Sequence, residues 1–166
     1  MAKGEIGMNF INKKFYKVDG VRVQYDPVLL AREEADFACM TIQFGAPVIV
    51  FNDNLARVTL AAAQCIVAHE IGKIVMTDDE WRSGLGHLSA ADLFVRLVYG
   101  DELLQHMFEE ICRQAPYQKE VTRIRRQAVH QLARQCEEQG IELALEEEYA
   151  TYLARYHAGL MAASLI

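Results

Sequence analysis

Ala62-Ala63-Gln64-Cys65-Ile66-Val67-Ala68-His69-Glu70-Ile71-Gly72-Lys73-Ile74-Val75-Met76 is the stretch on which the reading of this chain turns. It spells a buried helix that carries a His-Glu pair in an otherwise apolar run. An ionisable pair in such a run needs partners or a task, because burying an unpaired charge is costly or shifts its pKa. Residues at i and i+4 share one helix face. A second histidine four places after His69 would therefore let two imidazoles hold one metal ion, with Glu70 beside them to activate water. Lys73 stands at that place. Its ammonium has donors but no lone pair to give a metal.

Upstream, Phe15-Tyr16-Lys17-Val18 and Val21-Arg22-Val23-Gln24-Tyr25 flank Asp19-Gly20, a hairpin signal of the type I′ kind. Asp26-Pro27 ends the second strand, and Val28 to Asp36 reads as a short helix or an irregular connector. Phe37 to Phe44 and Val48 to Phe51 read as two further strands separated by Gly45-Ala46-Pro47, with Pro47 at a strand start or on an edge. Asn52-Asp53-Asn54 then offers capping side chains to a long helix from about Leu55 to Met76.

Downstream, Thr77-Asp78-Asp79-Glu80 reads as a turn or helix start and Ser83-Gly84-Leu85-Gly86 as a loop. Ser89 with Asp92 reads as a capping box that opens a helix to about Tyr99. A helix from Glu102 to Gln114 is stopped by Pro116. Two longer helices follow, Tyr117 to Gln139 and Ile141 to Ala163, broken at Gly140. The first carries an apolar stripe of Val121, Ile124, Ala128, Leu132 and Cys136, and the second one that includes Leu145, Tyr149, Tyr152 and Tyr156. The expected fold is α+β, with a small N-terminal antiparallel or mixed sheet packed on the His69 helix and an all-helical C-terminal half. It forms one domain over residues 1–166.

Composition narrows the function. The chain has 166 residues, 52% of them hydrophobic and 24% charged, which suits a single packed core rather than disorder. Its net charge is −6, and the excess acid lies after Met76, which disfavours nucleic-acid binding by the surface as a whole. Lys119, Arg123, Arg125, Arg126 and Arg134 make one helix basic, and the glutamates from Glu137 onward make the next one acidic; charge pairing and solvated faces account for both. No apolar run is long enough for a membrane span, and no signal-peptide core is visible at the N-terminus. Cys39, Cys65, Cys112 and Cys136 are scattered singly and read as reduced thiols, so a cytoplasmic location is expected.

Ile66-Val67-Ala68-His69-Glu70-Ile71-Gly72 resembles the active-site helix of zincin metallopeptidases, in particular the compact ImmA/IrrE-like group. In that group the helix commonly reads apolar-x-x-His-Glu-apolar-Gly-His, and a small sheet precedes it. The resemblance implies His69 as a zinc ligand and Glu70 as general base. It also implies a third ligand from a glutamate on a later helix, in a Glu-x-x-Ala-x-x-x-Ala setting that Glu147 to Ala154 matches in spacing. On a helical wheel Glu146 and Glu148 lie nearer the apolar stripe than Glu147 does. The sequence departs from the family at Lys73 and in the two extra helices before Glu147.

Three functions fit these residues. The first is a degenerate, inactive zincin-like protein that binds no metal and acts through protein–protein contacts. In it Lys73 replaces the metal's charge by pairing with Glu70 or with one of Glu146, Glu147 and Glu148. The second is a zinc-dependent peptidase with His69 and Glu147 as ligands, Glu70 as base and His87 as the nearest substitute ligand. The third is a helical regulatory module unrelated to zincins, in which His69 and Glu70 are an ordinary satisfied polar pair. His106, His130 and His157 read as structural. The apolar tail from Leu160 to Ile166 and the C-terminal helices would serve a homo-oligomer.

Overall fold

The uninterrupted apolar run from Val48 to Phe51 belongs to a strand covered on both faces, as a continuous rather than alternating pattern requires. The structure, a computed structural model, describes residues 22–75 and 85–138, except the side chains of 74, 75 and 85–87. Strands β1 (Arg22–Tyr25), β2 (Ala38–Gln43) and β3 (Ala46–Phe51) form a mixed sheet in the order β1-β3-β2. β1 runs parallel to β3, and β2 antiparallel to it. Along β3 the faces alternate: Ile49 and Phe51 enter the main core, while Val48 and Val50 pack with Leu30 of helix α1 (Pro27–Arg32). The segment read as helix or connector is thus a short helix. Asp26 caps it by accepting from Leu29 N at 3.0 Å. The expected strand over 15–18 lies outside the described residues.

β2 and β3 are joined by Phe44-Gly45, both at positive φ (51° and 76°), the backbone of a type I′ turn. The turn is tighter than the expected Gly45-Ala46-Pro47 break, because Ala46 and Pro47 already pair with Gln43 and Ile42. The register makes Ile42–Pro47 a non-hydrogen-bonded pair, so the proline nitrogen faces away from β2 and no bond to that strand is lost.

His69 lies on α2 (Leu60–Val75). The helix is shorter than its sequence suggested. Asp53–Arg57 form a separate 3-10 turn capped by Asn52, and Thr59 starts the helix proper. Thr59 Oγ1 accepts from Ala62 N at 3.2 Å, and Thr59 N donates to Glu110 Oε1 at 3.0 Å. Around α2 pack α3 (Leu85–Tyr99) and α4 (Asp101–Gln114), and α5 (Lys119–Glu138) follows a 3-10 turn over Pro116–Gln118 and packs on α3. α3 begins at Leu85, so Leu85 and Gly86 are helical and Ser89-x-x-Asp92 is not a capping box; Asp92 sits inside the helix. On α5 the fully buried residues are Thr122, Arg125, Val129 and Ala133; of the expected stripe, Ile124, Ala128, Leu132 and Cys136 are half-buried beside them and Val121 is exposed.

The described order is a small mixed sheet followed by helices, an α+β fold with a helical C-terminal half. Among the described residues, no helix is long and apolar enough to cross a membrane. The helix expected over 141–163 lies outside the described residues.

Gly72 sets how closely α2 and α3 approach. A Cβ there would stand 3.0 Å from Ala91 Cα and 3.1 Å from Phe94 Cβ. That contact positions α3, and with it Asp92, against the His69 side of α2. Gly72→Ala is therefore expected to lower the unfolding free energy by about 1–2 kcal/mol, an overpacking cost of about 2–3 kcal/mol against backbone atoms less roughly 1 kcal/mol of helix propensity. Urea denaturation reads this directly. An unchanged or higher midpoint would show that the two helices part at no cost.

Candidate functional site

His69 and Glu70 are polar yet only 5% and 4% exposed, so their partners define the site. His69 faces α3 and α5. Its Nδ1 lies 2.7 Å from Asp92 Oδ1, and Asp92 itself is 0% exposed. From α5, Arg125 clasps the same carboxylate, donating from Nε to Oδ2 at 3.0 Å and from Nη2 to Oδ1 at 2.7 Å. This is the two-pronged geometry that suits guanidinium and carboxylate. The Arg125 guanidinium also stands 5.1 Å from the centre of the Phe108 ring.

Charge states follow from these contacts. Burial alone would raise the Asp92 carboxyl, but Arg125 and His69 outweigh it and hold the pKa down at about 2. Burial lowers the His69 pKa, and Arg125 adds to that, against the opposing pull of Asp92. Burial opposes the charge on Arg125, yet Asp92 raises its pKa above the usual range. Near neutral pH the set is therefore a neutral imidazole between a carboxylate and a guanidinium. Arg125 Nη2 is 3.3 Å from Nδ1 but can only donate, whereas the nearer carboxylate oxygen can only accept. Nδ1 thus carries the proton, and Nε2 carries the lone pair. Among the described residues nothing hydrogen-bonds to Nε2.

Glu70 faces the sheet. In β2, Met40 sits in a non-hydrogen-bonded pair with Ile49, so its N–H points to the outer edge of the strand. Glu70 Oε2 accepts that N–H at 2.9 Å, and Glu70 Oε1 accepts from Lys73 Nζ at 3.0 Å. The expected segment of sheet beside the His69 helix is therefore present, and so is the expected same-helix pair of Lys73 with Glu70. The Lys73 side chain is 19% exposed, so the pair is partly rather than fully buried.

A cavity of about 190 Å³ opens beside these groups, several times what one water needs. Ile66, Met107 and Ile111 line it together with His69, Glu70, Lys73 and Arg125, and Glu34 and Asp36 stand with them in its wall. Asp36 accepts from Tyr117 Oη and from Gln118 Nε2.

Of the residues expected to carry the site, His69, Glu70 and Lys73 come together here. Glu146, Glu147, Glu148 and the His87 side chain lie outside the described residues. Among the described residues, no three His, Cys, Asp or Glu side chains form a metal-holding group. His106 is structural, with Nε2 2.7 Å from Thr59 Oγ1 at the start of α2. Sequence reasoning missed Asp92 and Arg125, reading the first as a helix cap and the second as part of a charged surface. Arg123 and Arg134 make exposed pairs within α5, with Glu120 and Glu138, whereas Arg125 is buried on Asp92. The signal that could have found Arg125 is spacing, since it falls in step with Thr122, Val129 and Ala133. Comparison with known proteins finds no matching family model and no significant match to a curated protein or a solved structure.

The charges lead to two expectations. Arg125→Met should cost about 3–5 kcal/mol, because it strands a buried carboxylate. A change below about 1 kcal/mol in denaturation midpoint experiments would show that Asp92 is reached by water. Acid should also act in two stages. His69 has a lowered folded pKa, so the unfolded chain binds more protons and stability falls as pH drops below about 6.5. Asp92 contributes roughly 2 kcal/mol that is present above about pH 4 and lost as pH falls through about 2. Unfolding free energy measured from about pH 8 to 5 should decline in the wild type and stay flatter in His69→Gln. A flat wild-type profile would mean that His69 keeps its proton in the folded chain.

Proposed function

We propose that the chain is a non-catalytic, zincin-like binding module that acts through protein–protein contacts, with the Lys73–Glu70 ion pair in the place of a metal. The observation that carries this reading is that both Glu70 oxygens are engaged, one by Lys73 Nζ and one by Met40 N. This places an ammonium, which has no lone pair for a metal, on the carboxylate that a peptidase would use as general base. Among the described residues the donors are one lone-pair nitrogen, on His69, and an ammonium where a second imidazole would be, which supports a site without zinc. Ile42 and Phe44 are exposed at the end of the β2–β3 hairpin and offer apolar surface to a partner. The four unpaired cysteines suit a reducing, cytoplasmic setting.

A second reading, a zinc-dependent peptidase, is favoured by one feature: a neutral His69 with Nδ1–H on a carboxylate and Nε2 left as lone-pair donor is how metal-ligating histidines are commonly held. His69 and Glu147 would then be ligands and Glu70 the base, and Lys73 would have to leave Glu70.

The two readings separate by metal content. The binding-module reading expects little tightly held zinc in the purified protein, and a Lys73→His variant that gains stability only when zinc is added. Near-stoichiometric zinc in the wild type, lost in His69→Ala, would overturn it. Lys73→Ala should cost about 2–3 kcal/mol, between the exposed and fully buried limits for ion pairs. An unaltered denaturation midpoint would show that the lysine is merely solvated.

A further inference from the structure

We propose that the cavity beside His69 accepts a cation, an ammonium or guanidinium group on an aliphatic stem such as the side chain of a lysine or arginine in a bound protein segment. The inference rests on reading this site as a binding site rather than a metal centre. The charges in the wall lead to it. Arg125 is matched by Asp92, and Lys73 by Glu70. Each positive group that lines the cavity is thus already paired with a carboxylate. Two further carboxylates, Glu34 and Asp36, stand in the same wall, and the hydrogen bonds to Asp36 come from the neutral groups of Tyr117 and Gln118. Among the described residues, the Glu34 carboxylate makes no hydrogen bond or ion pair. The lining therefore carries an excess of negative charge.

The deeper groups agree with the sign. His69 is more than nine-tenths buried and lines the cavity, and its Nε2 offers a lone pair that no described residue uses. A lone pair there takes an N–H donor and repels an anion's oxygens. Ile66, Met107 and Ile111 give apolar wall for methylenes, so a stem can bury its carbons while its head group meets acceptors. Glu34 itself is held at φ 56°, a backbone region unfavourable for a side-chain-bearing residue, in the turn that closes α1. The turn places an acidic side chain at a position where glycine would be easier.

The test uses the full chain in metal-free buffer containing a chelator, with n-butylammonium chloride and sodium butyrate as probes at equal ionic strength. The readout is the imidazole nitrogen resonances of His69 by NMR. Butylammonium should shift Nε2 in a saturable way and butyrate should not. Glu34→Lys, a change at an exposed side chain, should weaken butylammonium binding roughly tenfold while leaving the thermal midpoint near that of the wild type. A short extended peptide with one lysine, compared with the same peptide carrying norleucine, identifies the source. Tighter binding of the lysine peptide than of butylammonium assigns the cation to a protein segment, and equal affinity assigns it to a free amine. Saturable shifts with butyrate, or none with butylammonium, would overturn the inference while leaving the binding-module reading intact. Displacement of butylammonium by zinc chloride, in a chelator-free sample and at a one-to-one ratio, would overturn both.

Discussion

A carboxylate with no exposure to water is the constraint on which the rest of this structure hangs. Asp92 has to be compensated where it lies, and it is: two bonds from Arg125 and one from His69 occupy its oxygens. Three helices are thereby tied at one point, α2 through the imidazole, α3 through the carboxylate and α5 through the guanidinium. The tie also shows in the orientation of α5. The deepest face of α5 is the one that carries Arg125, while Ile124, Ala128, Leu132 and Cys136 beside it are half-buried and Val121 is exposed. Hydrophobic burial of one valine is worth about 1.5–3 kcal/mol, less than the cost of abandoning a buried charge. The buried charge therefore decides which face of α5 turns inward.

The same reasoning separates the two acidic groups on either side of α2. Asp92 fixes the imidazole, whereas Glu70 fixes the sheet. Because Met40 lies in a non-hydrogen-bonded pair, its N–H has no partner within the sheet, and Glu70 supplies one from the helix. Lys73 then balances the charge of Glu70 from one turn further along α2. The result is two ion pairs side by side, Lys73 with Glu70 and Arg125 with Asp92. Two more carboxylates, Glu34 and Asp36, stand in the wall of the same cavity.

Much of the fold was legible because it rests on patterns with one physical solution. The run from Val48 to Phe51, the Gly45 turn, Gly100 and Pro116 each marked an element or a break that the structure contains. The start of α2 was not legible, because two candidate caps stand in series. Asn52 caps a 3-10 turn, and Thr59, which caps α2, draws part of its support from Glu110, far away in sequence. The site was half legible. His69, Glu70 and Lys73 are local neighbours, so helical spacing was enough to join them. Asp92 and Arg125 are brought to His69 only by tertiary packing, and each had a sound local reading, as a cap and as a surface charge. Local chemistry cannot tell a capping aspartate from a buried one when a serine happens to stand three residues earlier.

His69 is the wrong residue on which to decide between a binding site and a metal site. A histidine that donates from Nδ1 to a carboxylate and presents Nε2 to a cavity is equally ready to hold a metal ion, take a proton or accept a hydrogen bond. The discrimination lies with Glu70 and Lys73, because an ammonium meets this carboxylate from the position where a second imidazole would stand. Held by Met40 and Lys73, the carboxylate joins helix to sheet, and the group that meets it from one turn further along α2 is a cation rather than a metal-ligating imidazole. Releasing Lys73 would leave an ammonium that is now only 19% exposed without this partner, and releasing Met40 would orphan a backbone donor. Either change carries a cost. The ion pair and the backbone bond hold Glu70 between helix and sheet, and no described residue uses the imidazole lone pair of His69.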